Sequence, residues 1–195
     1  MILYLAPGAC SLADHIALNE AGLPFEQVLV DLKRHTTEDG RDYTSVNPKG
    51  YVPALTLDGG EMLTENVAIL SWIADQEPKL APKGTLSRYR LLETLAYIST
   101  EVHKSFKPFF ASGVDDKAKA GAGQAIIKRL TYLAERLKDD YLLGPEFSVA
   151  DAYLFVMLMW SKKNGLSIPD QLSAYFDRVQ ARLTVRRTLQ EEKLA

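Results

Sequence analysis

A chain of 195 residues, 47% hydrophobic and 25% charged, suits one large globular domain or two modest ones. At this length about 70% of the unfolded surface can be buried without disulfides or metals. A net charge of −2 gives no global field for nucleic acid or an anionic membrane. The longest strongly apolar run, Ala150 to Trp160, is too short to span a bilayer. Met1 to Ala6 lacks the length and basic start of a leader. The single cysteine, Cys10, excludes an internal disulfide framework and suits a reducing compartment. A cytoplasmic protein is expected.

Met1 to Leu5 is a β-prone apolar run closed by Pro7-Gly8, which predicts a short buried strand and a loop. Ser11 and Asp14 are spaced as a capping box for a helix that Gly22 and Pro24 end. Phe25 to Asp31 returns to strand character, completing a βαβ unit. Lys33 to Gly50 is polar and weakly periodic, so no element is expected there. Ala54 to Leu57 and Glu61 to Leu63 flank Asp58-Gly59-Gly60 as a hairpin, and Val67, Leu70, Ile73 and Ala74 mark one face of a helix. Pro78 to Thr85 has the chemistry of a linker.

Beyond it only helices are expected, at about 86–106, 117–137, 149–162 and 171–183. Ser148 and Asp151 form a second capping box, worth about 0.5–2 kcal/mol as a cap. Arg178, Arg182, Arg186 and Arg187 read as a solvated helix face. The predicted fold class is therefore α/β plus all-α, with a first domain at 1–77, a linker at 78–85 and a helical domain at 86–195.

Cys10 stands at the first βα junction, where unpaired N–H groups and the helix dipole favour an anion. A thiol pKa below the ordinary value of about 8.5 is expected there, an inert buried thiol being the alternative. Ala13 occupies the place of a second redox cysteine, so thiol chemistry must borrow its partner sulfur. Tyr51-Val52-Pro53 is either a plain strand start or, with a cis bond, a turn that presents the Val52 backbone. Thr64-Glu65-Asn66 opens a helix, where Thr64 or Asn66 could cap, or the N-terminus and Glu65 could hold a carboxylate and an ammonium. Thr100, Glu101, His103 and Lys104 read by themselves as a polar face. The histidines His15, His35 and His103 make no metal spacing with Cys10, and no metal is expected.

Pro7-Gly8-Ala9-Cys10-Ser11, Asn47 to Leu55, Leu63 to Ile69, Glu101 to Phe106 and Ser148 to Phe155 follow one another in an order that resembles the glutathione transferases. Cys10 together with Glu101-Val102-His103-Lys104 is most similar to the bacterial beta class. The resemblance covers essentially the whole chain. It implies a thioredoxin-like N-terminal domain that binds glutathione, a helical wall for an apolar electrophile, and a detoxifying homodimer.

It further implies that Cys10 and His103 stand at the glutathione sulfur. Val52, with Tyr51 before it and a cis Pro53 after it, would pair with the cysteinyl backbone. Glu65 and Asn66 would hold the γ-glutamyl end, and Thr100, Glu101 and Lys104 would line the same site, from the partner subunit in the case of the first two. The chain departs from the family pattern at Asn66, where glycine or serine is usual, and at Ala96, where asparagine is frequent. It departs again at His35, in place of a lysine, with Lys33 nearby. Conjugation to an electrophile is the function implied. Glutathione-dependent thiol–disulfide exchange, and a binding protein that keeps only the fold, are the alternatives.

Overall fold

Four apolar residues at the start of the chain, alternating turn chemistry and one unusually apolar helix set the architecture. The structure, a computed structural model, describes residues 1–194. Ile2–Leu5 (β1) is the middle strand of a five-stranded sheet that also contains Glu26–Asp31 (β2), Thr36–Thr37 (β3), Ala54–Thr56 (β4) and Met62–Thr64 (β5). The order is β3-β2-β1-β4-β5. β1 runs parallel to β2, with Ile2 opposite Glu26, and antiparallel to β4, with Leu3 opposite Leu55. The expected βαβ unit and hairpin are both present. β3 is an element within the stretch expected to be irregular; with two residues it is too short to carry a periodic signal.

Leu12–Ala21 (α1) crosses between β1 and β2, and Asn66–Gln76 (α2) follows β5. This is a thioredoxin-like sheet and its helices. The remainder is helical: Ser87–Tyr97 (α3), Lys107–Phe110 (α4), Asp116–Arg136 (α5), Val149–Lys163 (α6), Asp170–Gln180 (α7) and Leu183–Glu191 (α8). The helix expected over 86–106 is regular only to Tyr97; Ile98–Val102 is wound as a π-helix and His103–Phe106 as a 3-10 turn. Widened turns of this kind are frequent at functional sites because they re-aim side chains.

α6 is apolar on every side, with Tyr153, Leu154, Phe155, Val156, Met157 and Leu158 all buried, so it can only lie in the interior. It packs against α1, α2 and α7. Each fully buried Leu, Val or Phe there contributes about 1.5–3 kcal/mol. One apolar cluster therefore runs from Leu3 and Ile16 through Leu70 to Tyr153 and Leu189, joining the sheet to the helices.

Two expected features are corrected. Ser11 is itself helical (φ −58°, ψ −19°) and makes no cap; its hydroxyl bonds the Ala6 peptide, accepting from the N–H at 3.2 Å. The chain already turns at Ala9, where Leu12 N–H reaches the Ala9 carbonyl at 3.1 Å and Ala13 N–H the Cys10 carbonyl at 3.1 Å. The solvated arginine face holds at exposed Arg178, Arg186 and Arg187 but is broken at Arg182. α7 stops before Arg182, whose guanidinium grips Glu20 at 2.6 and 2.8 Å and lies 4.4 Å from the Phe147 ring. α8 then begins afresh and packs on α1.

Candidate active site

The corner between the end of β1, the start of α1 and the start of α2 carries most of the unusual chemistry. Cys10 precedes α1 and is only partly covered; its thiol donates to the Val52 carbonyl at 3.4 Å. The Val52–Pro53 bond is cis. Behind this turn the Tyr51 carbonyl accepts from Asn47 Nδ2 at 2.8 Å and Tyr43 Oη at 3.1 Å, so two buried side chains hold the backbone in place. Gly50 has φ +71°, and a β-carbon there would lie 3.1 Å from the His35 ring, which leaves glycine as the residue that fits.

Glu65 is the residue just before α2 and has φ +73°, a region that costs a non-glycine residue about 1–3 kcal/mol and clusters at functional sites. Its Oε1 accepts from Lys49 Nζ at 2.5 Å and Tyr51 Oη at 2.7 Å. The Lys49 bond, followed by that of Tyr51, holds the carboxyl below its ordinary range, so Glu65 stays anionic. Both Lys49 and Glu65 are well exposed, and the pair adds little stability.

From the helical side His103 Nδ1 meets Tyr153 Oη at 2.7 Å, and the His103 ring stands edge-on to Trp160 at 5.1 Å. Burial, then the nearby Lys104 charge, pushes the His103 pKa down to about 4, so the ring is neutral at pH 7. The Lys104 charge also acts on Glu65, and Cys10 and Glu65 both act on Tyr153, so the two halves of the chain meet at this corner. Among the described residues no group of three or more His, Cys, Asp or Glu side chains is arranged to hold a metal ion.

Residues 9–76 match the family model for the glutathione S-transferase N-terminal domain, and residues 116–181 match that for the glutathione S-transferase C-terminal domain. The chain belongs to the glutathione S-transferase family. It is 44% identical over 200 residues to glutathione S-transferase GstA of Escherichia coli O157:H7, with all of both chains covered. Its fold is similar to a sphingomonad glutathione S-transferase solved with glutathione (TM-score 0.92, 49% identity, all of both chains). It is equally similar to a bacterial beta class glutathione S-transferase of Sphingomonas chungbukensis (TM-score 0.91, 49% identity, all of both chains). The family, the thioredoxin-like fold with a helical second domain and the beta-class likeness expected from the sequence are all borne out.

Within this transferase the expected site residues do not all converge. Tyr51, Val52, Pro53, Glu65 and Cys10 do. Asn66 neither caps α2 nor faces outward; its side chain turns into the protein, donating to the Cys10 carbonyl at 2.9 Å and to Asp14 Oδ2 at 2.8 Å. Thr64 does not cap either, its hydroxyl accepting from Lys49 Nζ at 2.9 Å. Lys33 is exposed in the turn after β2, and His35 points its Nδ1 at the Gly50 carbonyl, 3.1 Å away. Thr100 bonds back to the Ala96 carbonyl at 2.9 Å, and Glu101 meets Arg129 at 3.0 Å.

The expected acidic thiol is reversed. Burial, and after it the Asp14 carboxyl, pushes the Cys10 pKa up to about 12, outweighing the backbone N–H groups that lower it. A helix start favours an anion only where water or a counter-charge also reaches it. Phe106, Tyr153 and Trp160 are core, whereas Phe110 is 59% exposed and stacks edge-on to Trp160 at 4.7 Å.

Sequence reasoning also missed a latch from the far end of the chain. Glu192, buried, accepts from Gly8 N–H at 2.8 Å and faces His15 Nδ1 at 2.8 Å, while Trp160 Nε1 donates to the Gly8 carbonyl at 2.9 Å. Both backbone polar groups of Gly8, two residues before Cys10, are thus held by the helical domain. Glu192→Ala is expected to cost about 1–3 kcal/mol by leaving Gly8 N–H and His15 Nδ1 unpaired, and to speed Cys10 alkylation several-fold. A variant with unchanged melting and unchanged alkylation would show that the latch does not hold the loop.

Proposed function

We propose that this protein conjugates glutathione to small electrophiles in the cytoplasm as a homodimer, with Cys10 and His103 acting as neutral hydrogen-bond donors to the glutathione sulfur. The carrying observation is the full-length 44% identity to a glutathione S-transferase, combined with Cys10 held beside the Val52–Pro53 turn. Glutathione is the co-substrate, and its thiol is the nucleophile.

The tripeptide is zwitterionic and extended, and each of its parts has a counterpart at the corner. The Val52 backbone would pair with the cysteinyl peptide. The free N–H groups at the start of α2, Asn66 N–H among them, would take the γ-glutamyl carboxylate, and anionic Glu65 its ammonium, with Lys104 nearby. Thr100, tied to the Ala96 carbonyl, and Glu101, tied to Arg129 of α5, would serve the partner's site.

Chemistry turns on stabilising a sulfur anion without a cation. A thiol that keeps its proton can donate it in a hydrogen bond to the glutathione thiolate, and the high Cys10 pKa favours that role over attack by Cys10 itself. The tautomer of His103 in which Nδ1 accepts from Tyr153 carries its proton on Nε2, leaving that N–H as the second donor. The apolar electrophile would approach along exposed Phe110 and the edge of Trp160. Cys10 as the attacking thiolate of an exchange enzyme is the weaker reading on the same grounds.

His103→Ala is expected to lower kcat for conjugation by about 10–100-fold with a smaller change in KM for glutathione, because it removes a donor to the developing anion. An unchanged kcat would remove His103 from the chemistry.

A further inference from the structure

We infer that Asp14 and Asn66 are a coupled pair of positioning residues, tying the helix that follows the thiol to the helix that presents Glu65. The inference rests on the conjugation proposed above.

It begins from an unpaired atom. Asp14 is 0% exposed, and its Oδ1 is the one buried side-chain oxygen or nitrogen without a hydrogen-bond partner among the described residues. Its other oxygen accepts from Asn66 Nδ2 at 2.8 Å, and the same nitrogen donates to the Cys10 carbonyl at 2.9 Å. One amide group therefore commits its N–H donors to the start of α1, on the residue that bears the thiol and on the residue four positions later. Asn66 is also the first residue of α2, directly after the left-handed Glu65. The bridge sets the separation between the Cys10 backbone and the peptide that would meet the γ-glutamyl group.

Its electrostatics complete the argument. No basic side chain bonds Asp14, and a buried carboxylate without a counter-ion is costly, so burial raises its pKa well above the ordinary carboxylate range. When protonated, Asp14 still accepts from Asn66 yet puts no charge behind the sulfur. Once ionised it would oppose an anion there; that charge is, after burial, the largest influence that raises the Cys10 pKa. Because the amide is turned inward, Asn66 would touch glutathione only through its backbone, and its side chain would act through position.

The test is a double-mutant cycle on the full-length protein with Asn66→Gly, which keeps the backbone N–H, Asp14→Ala and the double variant, plus the conservative Asp14→Asn. kcat/KM for glutathione is measured with a fixed aryl halide from pH 6 to 10. Both single variants are expected to lose about tenfold, the double no more than either, and Asp14→Asn to retain most of the rate. A loss in Asn66→Gly with none in Asp14→Ala would make Asn66 a direct ligand contact and overturn the pairing, as would additive losses. Native-state iodoacetamide alkylation of Cys10 is read on the same variants and needs no turnover. It is expected to speed several-fold in both single variants, and an unchanged rate in both overturns the inference. Absence of conjugation in the wild type would instead overturn the proposed function and leave the alkylation result to decide the pairing.

Discussion

Asp151→Ala is expected to destabilise the protein by about 3–5 kcal/mol, well beyond the cost of a lost helix cap. The carboxyl is fully buried and accepts four hydrogen bonds: from Ser148 N–H at 2.8 Å, Ser148 Oγ at 2.7 Å, Leu142 N–H at 2.9 Å and Tyr175 Oη at 2.7 Å. The capping box expected from the sequence is present, but it is half of the arrangement. Alanine would leave the Tyr175 hydroxyl and two backbone N–H groups buried and unpaired, at about 1–3 kcal/mol each, less what water and relaxation recover. At roughly 2–4 °C per kcal/mol for a chain of this size, thermal melting should shift by about 6–20 °C. Glutathione affinity of the folded variant should be close to that of the wild type. A shift of only a degree or two would mean that the buried network contributes little; full stability with lost affinity would move Asp151 into the site.

The second large effect is on Cys10. With the pKa raised from 9.0 to about 12, ligand-free protein at pH 7.5 should hold about a thousandfold less thiolate than an ordinary thiol. Because the thiolate is the reactive form, iodoacetamide should modify Cys10 slowly at that pH and faster as the pH rises, with no plateau before about pH 10. As the single cysteine it can be followed without interference. Fast alkylation that levels off near neutral pH would show an acidic thiol after all, and would return glutathione-dependent disulfide exchange to first place.

Much of the fold was legible because its signals are local. The apolar run of β1, the Gly22 stop, the hairpin at Asp58-Gly59-Gly60 and the apolar α6 each lie within a few residues of sequence. Cys10 at the βα junction and the Val52–Pro53 turn were visible as motifs for the same reason. What escaped depends on distant partners. The inward turn of Asn66 is set by Asp14, 52 residues away, and the Gly8 clamp by Glu192, 184 residues away. The thiol pKa was misjudged because helix polarity is a local property and burial is not. α8 was not expected because its buried face, Val185, Thr188 and Leu189, packs against α1 from the far end of the chain, and the chain breaks before it at Arg182, which reaches Glu20.

Steady-state conjugation of glutathione to an aryl halide by the wild type and by Cys10→Ala tests the central claim most directly. If glutathione supplies the attacking sulfur and Cys10 only donates a hydrogen bond to it, the wild type turns over saturably in both substrates. Cys10→Ala then keeps a measurable fraction of kcat while losing any ability to form a mixed disulfide. No turnover by the wild type, or complete loss of conjugation in a folded Cys10→Ala protein, would contradict it.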